Sequence, residues 1–170
     1  MTLNVNRNRI ISGRRNESMI VAILQRYTDC IYRNIYLPTV MTKKSVTEID
    51  ILFYFQDTIF VIETKNIIGY EGRIDQPNWI LKSNSGEYKT YNPISQNKLH
   101  TRVLKNRFFE RFHYFPKVIS LVVVPDGVVY EDDMKNEIMT MEELRDTMQS
   151  YSKPAVSHLK YQFISLMEET

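Results

Sequence analysis

The stretch that most constrains this chain is residues 47–65, TEIDILFYFQDTIFVIETK. Two runs dense in Ile, Phe, Tyr and Val flank Gln56-Asp57, which reads as two strands joined by a tight turn. Strand side chains alternate between faces. Glu63 and Lys65 therefore share a face, as do Glu48 and Asp50. A two-residue loop pairs Phe55 with Thr58. Counting back, it sets Asp50 opposite Glu63 and Glu48 opposite Lys65, whereas an odd loop would flip every side chain. Directly opposed residues have Cβ atoms about 4.5–5.5 Å apart. Two carboxylates at that separation repel, and a divalent cation between them removes the conflict. Mg²⁺ takes carboxylate oxygens, keeps several waters and often sits beside phosphates. An ammonium two residues beyond Glu63 can hold an attacking water or stabilise charge on a phosphate. The pattern is a plausible device for metal-assisted phosphodiester cleavage. A surface hairpin with scattered charges gives the same letters, and both readings stand at this point.

The 170 residues fit one domain, with a motif core at about 12–124 and short helices over 125–170. A hydrophobic content of 43% is enough for a core. The net charge is only +2, but it is unevenly spread. Up to Lys44 there are eight Lys and Arg against Glu17 and Asp29, and from Lys98 to Lys117 six against Glu110. From Asp126 to Asp146 eight acids face Lys135 and Arg145. Two basic segments suit a polyanion, although solvated helix faces carry such charges too. The single Cys30 excludes an internal disulfide and a cysteine-based zinc site. It fits a reducing compartment, so a cytoplasmic location is expected. No apolar run approaches the roughly 20 residues that span a bilayer, and no secretory leader is read.

Along the chain, Ile20, Leu24, Tyr27 and Ile31 recur at helical spacing, predicting a helix over residues 12–33 with Glu17 on the same stripe. Glu17 either favours the positive helix end or points at a site beneath it. Short strands are expected at 73–74, 79–81 and 87–91, with a turn at 83–86. Trp79 reads as a packing residue. Asn92-Pro93 is a helix start, Asn as cap and Pro in the first turn, and that helix runs to about Phe112. Gln96 lies in its first turn, where it can orient a water or phosphate at the positive helix end or simply be solvated. Lys98, Arg102, Lys105 and Arg111 stud the same helix. Residues 117–124 read as a central strand buried on both faces. Thr140-x-x-Glu143 is a capping box opening a helix to about Gln149, and a last helix runs from near Pro154 toward Met167. The order predicts an α/β fold: a mixed central sheet flanked by helices, with an antiparallel hairpin carrying the site. His100, His113 and His158 lack metal-ligand spacing, and neither a phosphate loop nor a Gly-x-Ser-x-Gly elbow is present.

With these residues in hand, the chain resembles the nuclease-related domain (NERD) family of the PD-(D/E)xK nuclease superfamily. Glu48-Ile49-Asp50 before an apolar strand is similar to the family's first acidic motif. Residues 60–66, FVIETKN, with Gly69 or Gly72 after them, resemble its Ile-Glu-x-Lys-Asn motif. Trp79 and Asn92-Pro93-Ile94-Ser95-Gln96 resemble its Trp and Asn-Pro-x-x-Gln elements. The resemblance implies a restriction-endonuclease-like fold and a Mg²⁺-dependent nuclease, with Mn²⁺ as a substitute and DNA favoured over RNA as partner. It implies metal ligation by Asp50, Glu63 and the Thr64 carbonyl, a water-assisting Lys65, a site role for Gln96, and Glu17 as the acid of the first helix. At that last point the family's Gly-Glu doublet is replaced by Asn16-Glu17. Arg14, Arg15, Lys98, Arg102 and Lys105 are the expected backbone-binding residues. A homodimer or a separate partner protein is expected, and no membrane. The alternatives are a nucleic-acid-binding module with little or no cleavage, and a protein-interaction domain whose acidic segment docks a basic partner.

Overall fold

The computed structural model describes residues 14–39, 46–150 and 158–170. Arg7, Arg9, Lys43, Lys44 and the expected helix starts at Ser12 and Pro154 lie outside them. Helix α1 covers residues 14–24, and a five-stranded mixed sheet follows in the order β1-β2-β3-β7-β8. Its strands are β1 (Ile31–Pro38), β2 (Val46–Phe55), β3 (Thr58–Thr64), β7 (Val118–Val124) and β8 (Ile138–Thr140). The first three are antiparallel neighbours, and β3, β7 and β8 run parallel. Between β3 and β7 the chain makes a small antiparallel sheet of β4 (Gly69–Glu71), β5 (Asn78–Ser83) and β6 (Gly86–Tyr91), then helix α2 (Pro93–Phe112). Helices α3 (Met141–Ser150) and α4 (His158–Glu168) close the chain.

The core has two main layers. On one face, Val103, Leu104 and Phe108 of α2 and Phe163 and Leu166 of α4 pack on Leu52, Tyr54, Ile59 and Val61. On the other, Ile20 and Leu24 of α1 and Leu144 and Met148 of α3 pack on Ile51, Phe53, Phe60 and Ile62. The strands are covered on both sides, which is why β3 and β7 read as nearly unbroken apolar runs. A third cluster joins Trp79 and Leu81 of the small sheet to Ile94, Val122 and Val124. No helix among the described residues is long and apolar enough to cross a membrane.

Local chemistry explains the elements that the sequence announces. Gln56 and Asp57 both take positive φ, 46° and 56°, the pattern of a two-residue hairpin turn. Phe55 pairs with Thr58 as counted. Asn92 caps α2 by accepting from the Ile94 and Ser95 N–H groups, with Pro93 at the first helical position. Thr140 and Glu143 exchange their reciprocal bonds, 2.7 Å to the Thr140 N–H and 3.2 Å from the Glu143 N–H.

Two expectations fail. Residues 31–33 are not helical: α1 gives way to a turn, and 31–38 form the outer strand β1. Ile31 still packs beside the α1 residues Ile20 and Leu24, but from a strand, so its helical spacing is coincidental. Residues 73–74 are not a strand either. Their loop is held by the buried Trp79 ring, whose Nε1 donates to Arg73 O, and by the Asn92 amide, which donates to Ile74 O and Gln76 O. The strand lies earlier, at β4. Strand β8 has no counterpart among the expected elements.

Gly72 sits face-on to Trp79, and a Cβ there would lie 2.3 Å from two ring atoms. The ring is 2% exposed and cannot move aside. Gly72→Ala is expected to cost about 1–3 kcal/mol by overpacking, read as a lower urea midpoint. An unchanged midpoint would show that the loop yields freely.

Candidate metal and nuclease site

The site is built where β2 and β3 part. Their ladder runs from Phe55↔Thr58 to Ile51↔Ile62 and stops there. In β3 the odd-numbered residues donate toward β7, as with Ile59 N to Lys117 O and Lys65 N to Val123 O. The Thr64 N–H therefore faces β2, but no β2 carbonyl meets it. The Asp50 carboxylate takes it instead, Oδ2 accepting from Thr64 N at 2.7 Å and from Thr64 Oγ1 at 3.1 Å. A strand residue's N–H and C=O point the same way, so the Thr64 carbonyl faces the same gap.

The expected sharing of a face by Glu48 and Asp50 does not hold. Ile49, Leu52 and Tyr54 belong to the α2 layer, whereas Ile51 and Phe53 belong to the α1 layer, so strict alternation slips around Asp50. β1 slips at the same level. Its Asn34 lies between the pairs Arg33↔Ile51 and Ile35↔Ile49, directly across from Asp50, and takes a left-handed φ of 50°. Asparagine tolerates that conformation better than most residues. As a result Glu48 turns away from Lys65. It accepts from Tyr36 Oη at 2.9 Å and lines a surface cleft with Arg14, Glu17, Arg33 and Asn34.

Glu63 faces α2 and is 1% exposed. Lys65 lies on the same side, its Nζ 2.5 Å from Glu63 Oε1. The other oxygen, Oε2, is buried and has no hydrogen-bond partner. Burial pushes the Glu63 carboxyl up to about 7, against the pull of Lys65 and with help from the Asp50 charge. Burial alone would pull the Lys65 ammonium down, but Glu63 and Asp50 outweigh it and leave it raised. The pairs Asp50↔Glu63 and Glu48↔Lys65 counted from the turn lie beyond the ladder, which ends at Ile51↔Ile62.

The remaining expected residues are less concentrated. Gln96 is half-buried in the first turn of α2. Glu17 pairs with Arg33 at 3.2 Å and stands with Glu48 and Arg14 on the α1 side, away from the Glu63–Lys65 pair. Arg15 is exposed on α1. Lys98 is engaged by Glu137 at 2.6 Å, while Arg102 and Lys105 make no ion pair among the described residues.

Sequence reasoning missed two side chains of α2. Asn97 is fully buried, and its Nδ2 reaches Val61 O, Ser120 Oγ and Leu121 O at 2.8–2.9 Å. His100, 3% exposed, brings Nδ1 to 3.6 Å from Glu63 Oε2. The available signal was their spacing: Ile94, Asn97, His100 and Val103 form one buried stripe. Polar residues on such a stripe need partners inside the fold.

The donor set fits a hard cation that keeps most of its waters. Among the described residues no three His, Cys, Asp or Glu side chains converge as a ready-made cage. Mg²⁺ does not require one, since one or two carboxylates suffice. The Asp50 carboxylate and the Glu63 carboxylate, one oxygen of which is buried and unpartnered, supply two.

The Glu63 shift sets a pH signature. Its folded pKa lies above the ordinary 4.5, so the folded state holds the proton more tightly, and this contribution to stability is lost as pH rises toward 7. In chelator, Glu63→Gln should lose none of it. The variant is expected to gain on the parent between pH 4.5 and 7.5, by up to about 3 kcal/mol. Parallel stability curves from denaturant titrations would contradict the burial of an ionised Glu63.

No curated protein and no solved structure matches the chain. The profile of the nuclease-related domain matches residues 12–125, which contain β2, β3, the small sheet and α2. That match covers more than half of the chain and includes every site residue described above: the chain belongs to the nuclease-related domain family.

Proposed function

We propose that this domain is a metal-dependent nuclease that hydrolyses phosphodiester bonds, with DNA the favoured substrate. The observation that carries the reading is a buried Glu63 oxygen without a hydrogen-bond partner, on a carboxylate whose other oxygen meets Lys65 and which feels the Asp50 charge. Asp50 and Glu63 would hold Mg²⁺ or Mn²⁺, with the Thr64 carbonyl as a further ligand. The bound cation would supply stabilisation of phosphate charge and a more acidic water. Asp50 is held for this task by Thr64, and Glu63 by burial under α2. Lys65 would orient the attacking water or neutralise charge on the phosphate. Gln96, at the N-terminal end of α2, would help to place either one. Glu17 would act from the far side of β2 through its partner Arg33 and the neighbouring Glu48. The exposed Arg14, Arg15 and Arg102 and the half-buried Lys105 would track the nucleic-acid backbone, with Lys98 joining them once released by Glu137.

Labelled single- and double-stranded DNA and RNA, incubated with and without Mg²⁺ or Mn²⁺, test the reading. Metal-dependent cleavage is expected, lost in Asp50→Asn and Glu63→Gln together with metal binding. Lys65→Ala should keep metal binding and lose at least about 100-fold in rate, within the usual range for a proton-handling group. Binding without cleavage under every condition would favour a nucleic-acid-binding module instead.

Phosphate contacts release counterions without reading sequence. Arg102→Ala and Lys105→Ala should therefore weaken binding alike on all sequences and each reduce the salt slope by about one. An unchanged slope would remove α2 from the binding surface.

A further inference from the structure

Glu63 has two oxygens in different situations. Oε1 meets the Lys65 ammonium at 2.5 Å. Oε2 is buried without a hydrogen bond, and so is Nδ1 of His100, 3.6 Å away. Two buried polar atoms facing each other without a hydrogen bond are rare. One of them belongs to the carboxylate that would hold the cation.

We propose that His100 is a positioning residue for Glu63, donating its Nδ1–H to Oε2 and holding the carboxylate turned toward the cation. The inference rests on the nuclease reading and deepens it. A carboxylate only accepts, so the ring nitrogen facing it must carry the proton. Catalytic hydrogen bonds often reach full strength only with the site loaded, and 3.6 Å leaves a short distance to close. The ring has little freedom to wander. One turn earlier on the same helix face, Asn97 fastens α2 to β3 and β7. Metal sites commonly depend on such outer partners to orient their ligands.

The test has an arm that needs no cation. At pH 8.5 in chelator, ¹⁵N chemical shifts of the histidine ring report which nitrogen is protonated, and the Nδ1–H tautomer is expected for His100. The second arm is calorimetric titration with Mn²⁺ of the parent and of His100→Asn, His100→Gln and His100→Leu, beside thermal melts in chelator. An asparagine amide nitrogen stands about where Nδ1 stands, and a glutamine amide nitrogen about where Nε2 stands. His100→Asn should bind Mn²⁺ within about threefold of the parent, whereas His100→Gln and His100→Leu should bind roughly tenfold or more weakly. A merely structural histidine would instead rank the variants by melting temperature. An Nε2–H tautomer overturns the proposal. So does His100→Leu binding like the parent, or His100→Asn binding as poorly as His100→Leu. A parent that takes up no Mn²⁺ overturns the nuclease reading and with it any role of His100 toward a cation.

Discussion

One buried amide holds the candidate site together. Asn97 carries two N–H bonds and offers them to Val61 O on β3 and to Ser120 Oγ and Leu121 O on β7. β3 carries Glu63, and α2 carries Gln96 and His100, so their relative placement passes through this side chain. An apolar residue of similar size would fill the space but forgo these hydrogen bonds, each worth about 0.5–1.5 kcal/mol net. Apolar packing has no direction, but a hydrogen bond does. The Asn97 contact therefore fixes how far α2 can slide or roll over the sheet, which the surrounding Leu, Val and Phe side chains do not.

The two acids of the hairpin show how environment divides like groups. Asp50 sits between two strands that have moved apart and receives two donors from Thr64, one of them main-chain. Glu63 lies under a helix, with a lysine on one oxygen and no hydrogen bond on the other. Ionised Asp50 is solvated by the protein itself, whereas ionised Glu63 is only half solvated. The Glu63 carboxyl is raised by burial and then further by the Asp50 charge. A positive charge arriving near both would relieve Glu63 most.

Local signals made much of this legible in the sequence. The hairpin turn needs only two residues that accept positive φ, the start of α2 needs Asn-Pro, and the start of α3 needs Thr and Glu three apart. Each is a short-range chemical fact, and each held. The strand face of Glu63 and Lys65 also followed from β3 alone. What escaped depended on distant parts of the chain. β1 has the composition of a strand, but its Ile31 fits the preceding helical spacing, and only pairing with β2 decides the matter. The slip around Asp50 has its counterpart in β1, at Asn34, sixteen residues earlier in the sequence. His100 looked inert as a metal ligand because spacing along one helix says nothing of a carboxylate on a strand beneath it. Asn97 was hidden for the same reason.

Asn34 has a further consequence, for the chain's behaviour in a crowd. Among the described residues β1 is the outer strand of the large sheet, and an outer strand offers free main-chain groups to any extended segment that comes along. A second chain could extend the sheet only by matching a straight run of such groups. The left-handed residue in the middle of β1 breaks that run, and Pro38 at its end contributes no N–H at all. Arg33, exposed beside the break, adds a charge that would have to be desolvated on contact. The irregularity that accompanies the placing of Asp50 thus also protects the edge against indiscriminate self-association.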